Sequence, residues 1–379
     1  MHLIHSISNI TRSSGGTSAY VADLANEQVK ATSAAVGILT ERSLGESMMI
    51  SPDVSLFEVS DARGFDLCLS QQIALKRLNL IHSHGLWLHC NHVTVRFCRK
   101  NQIPLVLSPH GMLEDEALQF SKWKKRLALI AYQRKDLNSV DAFHATAPAE
   151  AESIRRFGLR QPIIVSPPGV ELPSLRPEAE GRGAEGSNKR MALFLGRVHP
   201  IKNLLSLVVA WAKVRPKGWN LVIAGADEVG YAEELRKAVR EQKMEQVVVL
   251  VAGAAYGADK ERLYRKASLF ILPSFSENFG IVVPEALSYG VPVIASTGAP
   301  WGELPERNCG WWVDPTSASL AEALEDATQL SDAKLSQMGM NGRALVEEKY
   351  QWDSIAEKMV ADYQWILGQG PKPTNVLET

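Results

Sequence analysis

The sequence has few features that would tie it to a membrane, an oxidising compartment or a nucleic acid. Its four cysteines, Cys68, Cys90, Cys98 and Cys309, show no paired spacing, which indicates reduced thiols rather than a disulfide framework. No apolar run reaches about 18 residues, the length that a membrane-spanning helix needs. No charged segment followed by an apolar stretch opens the chain. The formal net charge of −1 gives no reason to expect a nucleic-acid partner. We therefore expect a cytoplasmic protein.

Familiar cofactor motifs are missing as well. The Gly15-Gly16 segment after the first strand is neither a G-x-G-x-x-G dinucleotide fingerprint nor a phosphate-binding P-loop, and the sequence contains no H-E-x-x-H zinc motif. What it does contain is ordinary: 379 residues, of which 45% are hydrophobic and 22% charged. This composition is typical of a globular protein with two or three domains.

Short apolar runs alternate with longer amphipathic segments in both halves of the chain, which predicts α/β domains with parallel sheets and helices on both faces. The predicted strands are Leu3–Ile7, Ala35–Leu39, Leu80–His84, Leu105–Ser108, Ala142–Ala145 and Ile163–Val165, then Met191–Leu195, Asn220–Ala224, Val247–Val251, Leu269–Leu272, Val291–Ala295 and Gly310–Val313. A polar, glycine-rich segment over residues 177–188 reads as a linker between two doubly wound domains that would face each other across a cleft. We accordingly predict domains over residues 1–176 and 189–350, a C-terminal helix over 351–368 and a flexible tail over 369–379.

Two glutamates near the end of the second half are separated by a helix start. Pro284 is tolerated only in the first turn of a helix. We therefore predict a helix from about Ile281–Val282 to Gly290, with Glu285 in its first turn and Glu277 on the loop before it. That loop follows a buried strand, at the sheet edge where open α/β folds bind ligands. The backbone around Asn278–Gly280 would suit an anion.

Two further segments follow strands and precede helices. Gly15-Gly16 would let the backbone approach a ligand, although a plain glycine turn explains them equally well. Arg197 and Lys202 flank the turn after the first strand of the second half, where both cations could reach one phosphate. The alternative for this pair is two solvated cations beside a turn.

Histidines are concentrated in the first half. His110 follows a strand and precedes a glycine, a position suited to a ligand, although a lone histidine is more often structural. Four histidines and one cysteine fall within eleven residues, namely His82, His84, His89, Cys90 and His92. They resemble a metal site, but no carboxylate completes a ligand set. We favour polar residues that line the rim of the cleft.

The segment Lys122–Lys135 combines cations, aromatic residues and an aliphatic stretch. Such a helix suits the interface of an anionic membrane, although a solvated charged face is the usual alternative. A nucleic acid is a poorer partner because no binding motif accompanies the cations.

Taken together, these residues resemble a retaining glycosyltransferase of family 4 with the GT-B fold. The resemblance covers nearly the whole chain. It is most specific at Glu277 and Glu285 with the Asn-Phe-Gly insert, combined with Gly196-Arg197 and Lys202-Asn203. Ser108–Leu113 is similar to a subgroup of bacterial exopolysaccharide and lipopolysaccharide transferases.

The resemblance implies a role for each matched residue, with the first domain on the acceptor side and the second holding a UDP- or GDP-linked sugar donor. Arg197 and Lys202 would bind the donor's diphosphate, and Glu285 would accept hydrogen bonds from its ribose. Glu277 would contact the donor sugar. The remaining assignments are backbone contacts to sugar and phosphate from Asn278, Phe279 and Gly280, a contact of His110 near the sugar C6 hydroxyl, and an approach of Gly15 and Gly16 to the diphosphate.

The resemblance also implies a reaction that needs no metal cofactor, in which a hexose passes to a glycan or lipid-linked glycan in cell-surface polysaccharide synthesis. The C-terminal helix would cross back to the first domain, and Lys122–Lys135 would bring the enzyme to the inner membrane as a peripheral protein. The alternatives are a nucleotide-sugar hydrolase or epimerase of the same two-domain form, and an inactive nucleotide-sugar-binding paralogue.

Overall fold

A computed structural model describes residues 1–378 except 13–14, 44, 115–116, 119–121, 175–188, 228 and 254–255. The predicted linker, 177–188, lies outside the described residues. The chain forms two compact units. The first comprises Met1–Gly169 and Trp352–Thr379, and the second Val170–Gln351.

Fourteen strands are defined in the described residues. They are β1 (His2–Ser6), β2 (Ala35–Glu41), β3 (Ser55–Val59), β4 (Leu80–His84), β5 (Leu105–Ser108), β6 (Ala142–Ala145), β7 (Ile163–Val165), β8 (Arg190–Leu195), β9 (Trp219–Gly225), β10 (Val248–Ala252), β11 (Leu269–Leu272), β12 (Val293–Ser296), β13 (Gly310–Val313) and β14 (Val376–Leu377). Each of the twelve strands predicted from sequence is present within two residues of its expected bounds, and β3 and β14 are additions.

The α-helices of the described residues lie between these strands and at the C-terminus. They are α1 (Gly16–Ala31), α2 (Ala62–Ala74), α3 (His89–Asn101), α4 (Lys122–Ala128), α5 (Arg134–Leu137), α6 (Pro148–Arg156), α7 (Leu204–Val214), α8 (Tyr231–Glu241), α9 (Gly257–Lys266), α10 (Val282–Ser288), α11 (Glu303–Glu306), α12 (Ser317–Gln329), α13 (Asp332–Lys349) and α14 (Trp352–Ile366). A π-helical turn, Leu129–Gln133, joins α4 to α5, and a 3₁₀ turn, Pro200–Lys202, precedes α7. No helix among the described residues is long and apolar enough to cross a bilayer.

The sheet of the first unit has the order β14-β7-β6-β5-β4-β1-β2-β3. All neighbours pair in parallel except β14, which runs antiparallel to β7. Strand order reverses between β1 and β4, which lie side by side with Leu3 opposite Leu80. Ligands in such sheets bind outside the carboxyl ends of the strands at this reversal.

The sheet of the second unit is fully parallel, in the order β10-β9-β8-β11-β12-β13. Its reversal lies between β8 and β11, where Leu269 pairs with Ala192. The inner strands β8, β9, β11 and β12 are largely apolar and are buried on both faces of the sheet, as is usual for parallel strands. Leu193, Ile223 and Phe270, for example, are each 0% exposed.

The helix α14 belongs to the first unit although it follows the second in sequence. Trp352, Ile355, Met359 and Tyr363 recur at helical spacing and are buried against α1 in one apolar cluster. The segment that leads into the second unit passes close by, because a Cβ added to Gly169 would lie 2.4 Å from the Trp352 ring.

The tail after α14 differs from the flexible segment that we expected over residues 369–379. Val376–Leu377 forms β14 and pairs with Ile164 and Ile163 of β7. The backbone N–H of Val165 also donates to the carbonyl of Asn375 at 2.9 Å. The sequence signal was weak because a two-residue strand is too short to show an alternating pattern.

Candidate active site

The strand reversal of the second unit brings two predicted site residues into contact. Lys202 ends the turn after β8, and Glu277 lies on the loop after β11. The Nζ atom of Lys202 is 2.5 Å from Oε1 of Glu277, and their side chains are only 14% and 12% exposed. The hydroxyl of Ser274 also donates to Oε1 of Glu277, at 2.6 Å. The structure therefore places a shielded ion pair at the predicted ligand edge.

Asn203 fixes the turn that carries Lys202. Its backbone is left-handed, with φ 55°, a conformation that asparagine tolerates better than most residues. Its side-chain amide donates to the carbonyls of Pro273 at 3.0 Å and Pro315 at 2.8 Å, so it connects the loops after β8, β11 and β13. Arg197 precedes the turn and its side chain is exposed.

Backbone hydrogen bonds and an aromatic contact hold the loop from Glu277 to Gly280 in place. The N–H of Glu277 donates to the carbonyl of Gly298 at 2.8 Å. The indole of Trp301 donates to the carbonyl of Phe279 at 2.7 Å, and the two rings pack with centroids 5.1 Å apart. Gly280 has a φ of 78°, which favours glycine. The backbone on both sides of Asn278 is therefore held in one conformation by these contacts.

The helix that follows this loop confirms the reading of Pro284. It runs over Val282–Ser288, with Glu285 in its first turn, and Gly290 follows it in a left-handed conformation with φ 68°. Glu285 accepts a hydrogen bond from Tyr264 at 2.8 Å and pairs with Lys260. Burial, and then the charge of Glu285, raise the pKa of Tyr264 well above its usual value, so the phenol stays a hydrogen-bond donor.

Sequence reasoning missed three residues that support this site, namely Lys260, Tyr264 and Trp301. The only signal available was their general position after strands or on a neighbouring helix. Their contacts with Phe279 and Glu285 depend on how separate elements of the second unit pack.

In the first unit, Gly15 and Gly16 lie at the start of α1. Gly15 has a φ of 82°, and a Cβ added at either glycine would meet no atom of the described residues within 4 Å. The positive φ therefore explains the glycine at position 15. Packing does not require glycine at either position, because the described residues leave room for a side chain. The two serines that precede them lie outside the described residues.

His110 follows β5 in a left-handed conformation, with φ 51°. Its loop is anchored by Glu150, which accepts from the N–H of Gly111 at 2.7 Å and from the backbone and hydroxyl of Thr146 at 2.8 and 2.9 Å. Burial, and then the charge of His144, lower the pKa of His110 to about 3. The imidazole is therefore neutral at physiological pH.

The predicted histidine cluster is divided by the structure. His82 and His84 are 0% and 2% exposed in β4, so the prediction that they line a rim is wrong. Strand alternation does put His82 and His84 on one face of the sheet. That face belongs to the buried core, however, because β4 is buried on both of its faces. His89 is exposed on α3, and His92 is paired with Asp136 at 2.5 Å.

A different trio, His5, His82 and His84, has ring nitrogens within 4.8 Å of one another, as metal ligands would. Every one of these nitrogens already has a hydrogen-bond partner, however. His5 contacts Gln28 and His84, His84 also contacts His110, and His82 contacts Tyr363 and Ser108. A metal would have to displace these hydrogen bonds, so the trio fits a buried polar network better than a metal site.

The segment Lys122–Lys135 is helical, as α4, the π-helical turn and the start of α5. Trp123, Leu127 and Ile130 recur at helical spacing and are 65%, 58% and 79% exposed. Lys124 and Arg126 are exposed between them. An apolar stripe flanked by cations thus lies on the surface of the first unit.

Comparisons with known proteins identify the family. A family model described as Glycosyltransferase Family 4 matches residues 14–173, and one described as Glycosyl transferases group 1 matches residues 189–329. The chain belongs to glycosyltransferase family 4. This glycosyltransferase is 28% identical over 309 residues to D-inositol 3-phosphate glycosyltransferase of Segniliparus rotundus, an alignment that covers 78% of this chain and 68% of the relative.

Two other proteins show how far the likeness extends. The glycosyltransferase is 31% identical over 199 residues to the GDP-mannose:cellobiosyl-diphosphopolyprenol alpha-mannosyltransferase of Komagataeibacter xylinus, which covers 51% of this chain and 50% of that protein. Its fold matches sucrose-phosphate synthase from Thermosynechococcus elongatus with a TM-score of 0.80 and 20% identity, over 97% of this chain and 100% of that one. The predicted GT-B fold is confirmed.

Proposed function

We propose that this glycosyltransferase moves a hexose from a nucleotide diphosphate sugar to a glycan or lipid-linked glycan, with retention of the anomeric configuration. The observation that carries the proposal is the shielded Lys202–Glu277 pair at the strand reversal of the second unit. Exposed Arg197 lies on the same loop as Lys202. Two cations and a carboxylate there suit a ligand that carries both phosphate and hydroxyl groups.

Each residue has a task in this proposal. Arg197 and Lys202 bind the diphosphate, and the Asn278–Gly280 backbone supports it. Glu277 accepts hydrogen bonds from sugar hydroxyls. Glu285 accepts them from the ribose, because each carboxylate oxygen has two lone pairs and its contacts with Tyr264 and Lys260 leave some of these unused.

In the transfer step, an acceptor hydroxyl attacks the anomeric carbon while the bond from that carbon to the phosphate oxygen breaks. The hydroxyl proton passes to the departing phosphate, which acts as the base. Negative charge develops on the nucleoside diphosphate, and preorganised cations stabilise it without rearrangement. We propose that Arg197 and Lys202 supply this charge, so that the reaction needs no metal cofactor.

The test is a panel of UDP- and GDP-sugars, scored for binding, slow hydrolysis and transfer to added glycans. Arg197→Ala, Lys202→Ala and Glu277→Ala are each expected to lower turnover by about 10- to 1,000-fold, as the loss of charge stabilisation in a transition state does. Lys213→Ala, which removes an exposed lysine at the end of α7, is the matched control. Turnover like the wild type in all three variants would refute the assignment.

The same panel separates the alternatives. Hydrolysis that exceeds transfer with every acceptor would favour a hydrolase, and binding without turnover an inactive paralogue. Turnover that persists in excess chelator is expected, and its loss would contradict the metal-free reaction. Products are assigned as retained or inverted by the anomeric proton coupling.

We propose further that the acceptor is lipid-linked and that α4 brings the enzyme to an anionic membrane. The exposed stripe of Trp123, Leu127 and Ile130 beside cations supports this, as does the polyprenol-linked acceptor in the name of the relative from Komagataeibacter xylinus. Co-sedimentation with phosphatidylglycerol vesicles should exceed that with phosphatidylcholine vesicles. Ile130→Glu should abolish it, whereas Leu67→Ser, a change at a 64% exposed leucine of α2, should not.

A further inference from the structure

The carboxylate of Glu285 is held by two donors from one neighbouring helix. Lys260 and Tyr264 are separated by one helical turn on α9, so both side chains project from the same face of that helix. The ammonium of Lys260 pairs with Oε1 of Glu285, and the hydroxyl of Tyr264 donates to Oε2 at 2.8 Å. Each oxygen of the carboxylate therefore has a donor of its own.

The position of Tyr264 is fixed by aromatic packing. Its buried ring stacks on the ring of Tyr289 with centroids 5.3 Å apart, and it contacts Phe270 of β11 at 5.8 Å. Burial, and then the charge of Glu285, raise the pKa of this phenol well above its usual value. The phenol therefore keeps its proton and acts as a donor to Glu285.

The ion pair between Lys260 and Glu285 matters for its geometry more than for its energy. The two side chains are 33% and 19% exposed, so solvent screens their charges and the pair adds little to the stability of the fold. A glutamate side chain otherwise turns easily about its last bond, which carries the carboxylate. Donors on both oxygens limit that rotation and leave the carboxylate in one orientation.

The hydrogen bonds that Glu285 already accepts determine how many it can still accept. A carboxylate has about four lone-pair positions, two on each oxygen. Lys260 takes one on Oε1 and Tyr264 takes one on Oε2, and no other described residue donates to this side chain. One acceptor position is left on each oxygen. Such a carboxylate suits a ligand with two adjacent hydroxyl groups, one for each oxygen.

We propose that Lys260 and Tyr264 are positioning residues, which orient the two remaining acceptor positions of Glu285 toward the 2′- and 3′-hydroxyl groups of a ribose. Through Glu285 they set how strongly the second unit selects a ribonucleotide over a 2′-deoxyribonucleotide. The inference rests on the proposed function, which assigns the ribose to Glu285. It goes further because it assigns the selectivity to two residues that act on the carboxylate and not on the ligand.

The test compares the binding of UDP and GDP with that of their 2′-deoxy forms by isothermal titration calorimetry. The nucleotide that the wild type binds should bind about 10- to 100-fold more tightly than its 2′-deoxy form, since the missing hydrogen bond has a charged acceptor. Lys260→Met and Tyr264→Phe should each lower this ratio by about 3- to 10-fold, the effect of weakening one hydrogen bond. Affinity for the 2′-deoxy form should change much less than affinity for the ribonucleotide.

Tyr289→Phe and Lys213→Met are the matched controls. The ring of Tyr289 stacks on that of Tyr264, but its hydroxyl forms no hydrogen bond with a described residue. Lys213 is exposed at the end of α7. Neither substitution should change the ratio of the two affinities.

A double-variant comparison shows whether Lys260 acts through Glu285. Glu285→Gln removes the charge of the carboxylate and should itself lower the ratio. Lys260→Met added to Glu285→Gln should then have no further effect on the ratio, because the amide no longer pairs with the ammonium. A further fall in the double variant would show that Lys260 acts by another route and would contradict the proposal.

The outcomes distinguish this inference from the proposed function. If Lys260→Met and Tyr264→Phe weaken both nucleotide forms equally, the ratio is unchanged, the two residues serve only the fold, and the inference is overturned. The inference also fails, while the proposed function stands, if the wild type binds a ribonucleotide no more tightly than its 2′-deoxy form. If the wild type binds neither UDP nor GDP, the proposed function fails and the inference fails with it.

Discussion

The first unit should lose stability on acidification from pH 6.5 to pH 5, because several of its histidines are shielded from solvent as neutral rings. The pKa values of His5, His110 and His144 are lowered, mainly by burial, to about 4, about 3 and about 4. In the unfolded chain each titrates near its ordinary pKa of about 6.5. Between these values the unfolded state binds more protons than the folded state, so stability falls as pH falls.

The size of the effect follows from this difference. At pH 5 the solution is about 1.5 units below the unfolded pKa and still above the folded ones, which gives about 2 kcal/mol for each histidine, or about 6 kcal/mol for three. His82 and His84 act in the same direction. Asp362 acts against them, because burial raises its pKa to about 6 and it gains a proton in this range, worth about 1.4 kcal/mol at pH 5. The net loss is comparable with the whole stability of a typical domain.

Hydrogen exchange resolved by peptide is the assay, because it reports the two units separately. Amides of β1 and β4 should lose protection at pH 5 relative to pH 7.5, after correction for the intrinsic exchange rate. The second unit is the internal control, since residues 170–351 contain only one histidine, His199. Equal protection of β1 and β4 at both pH values would refute the reasoning, as would an equal loss in β8 and β9.

Three substitutions test other parts of the structure. Asp362→Asn removes a buried carboxylate whose Oδ1 atom has no hydrogen-bond partner among the described residues. Because burial raises the pKa of this carboxyl, its charge costs stability above pH 6, and urea unfolding at pH 7.5 should show a gain of about 1–2 kcal/mol that disappears near pH 4. Gly298→Ala would place a Cβ 2.4 Å from the carbonyl oxygen of Phe275, so thermal melting should show a loss of about 1–3 kcal/mol, and an unchanged melting temperature would contradict the clash. Trp301→Phe keeps an aromatic ring but removes the indole N–H that donates to the carbonyl of Phe279. Donor turnover should therefore fall by about 3- to 10-fold while the fold persists, and unaltered kinetics would show that the loop does not need this hydrogen bond.

The sequence predicted the elements of the fold well where strands are buried on both faces. Such strands are continuous apolar runs, as in Leu269–Leu272, and turn residues bound them clearly. The strand β3 was missed because it lies at the sheet edge and alternates partly buried residues with exposed ones such as Leu56 and Glu58. The sequence pattern that identifies a strand therefore came from burial of its side chains and not from the strand propensity of its residues.

Only those features of the site that depend on neighbouring residues in the chain could be predicted from the sequence. Pro284 fixed the helix start, which placed Glu277 and Glu285 on different elements, and the structure confirms this. The partners of Glu285 could not be inferred, because Lys260 and Tyr264 lie on a separate helix, α9, and meet it only in the folded unit. The same limit explains the histidines. His82 and His84 share a face by strand alternation, but their partners come from two neighbouring strands, the loop after β5 and α14, which no local pattern brings together.

The short strand β14 has a consequence for the behaviour of the protein in solution. A parallel sheet that ended at β7 would present a row of unpaired N–H and C=O groups, to which a strand of another copy can add. Val376–Leu377 occupies that edge in the antiparallel direction, and Val376 is 5% exposed. The sequence predicts a flexible tail after Gly368, which would make that position a natural place to shorten the protein. The shortened protein would keep every residue of the proposed site, but it would expose the unpaired backbone groups of β7. We therefore expect the last residues of the chain to limit edge-to-edge association between copies of the protein.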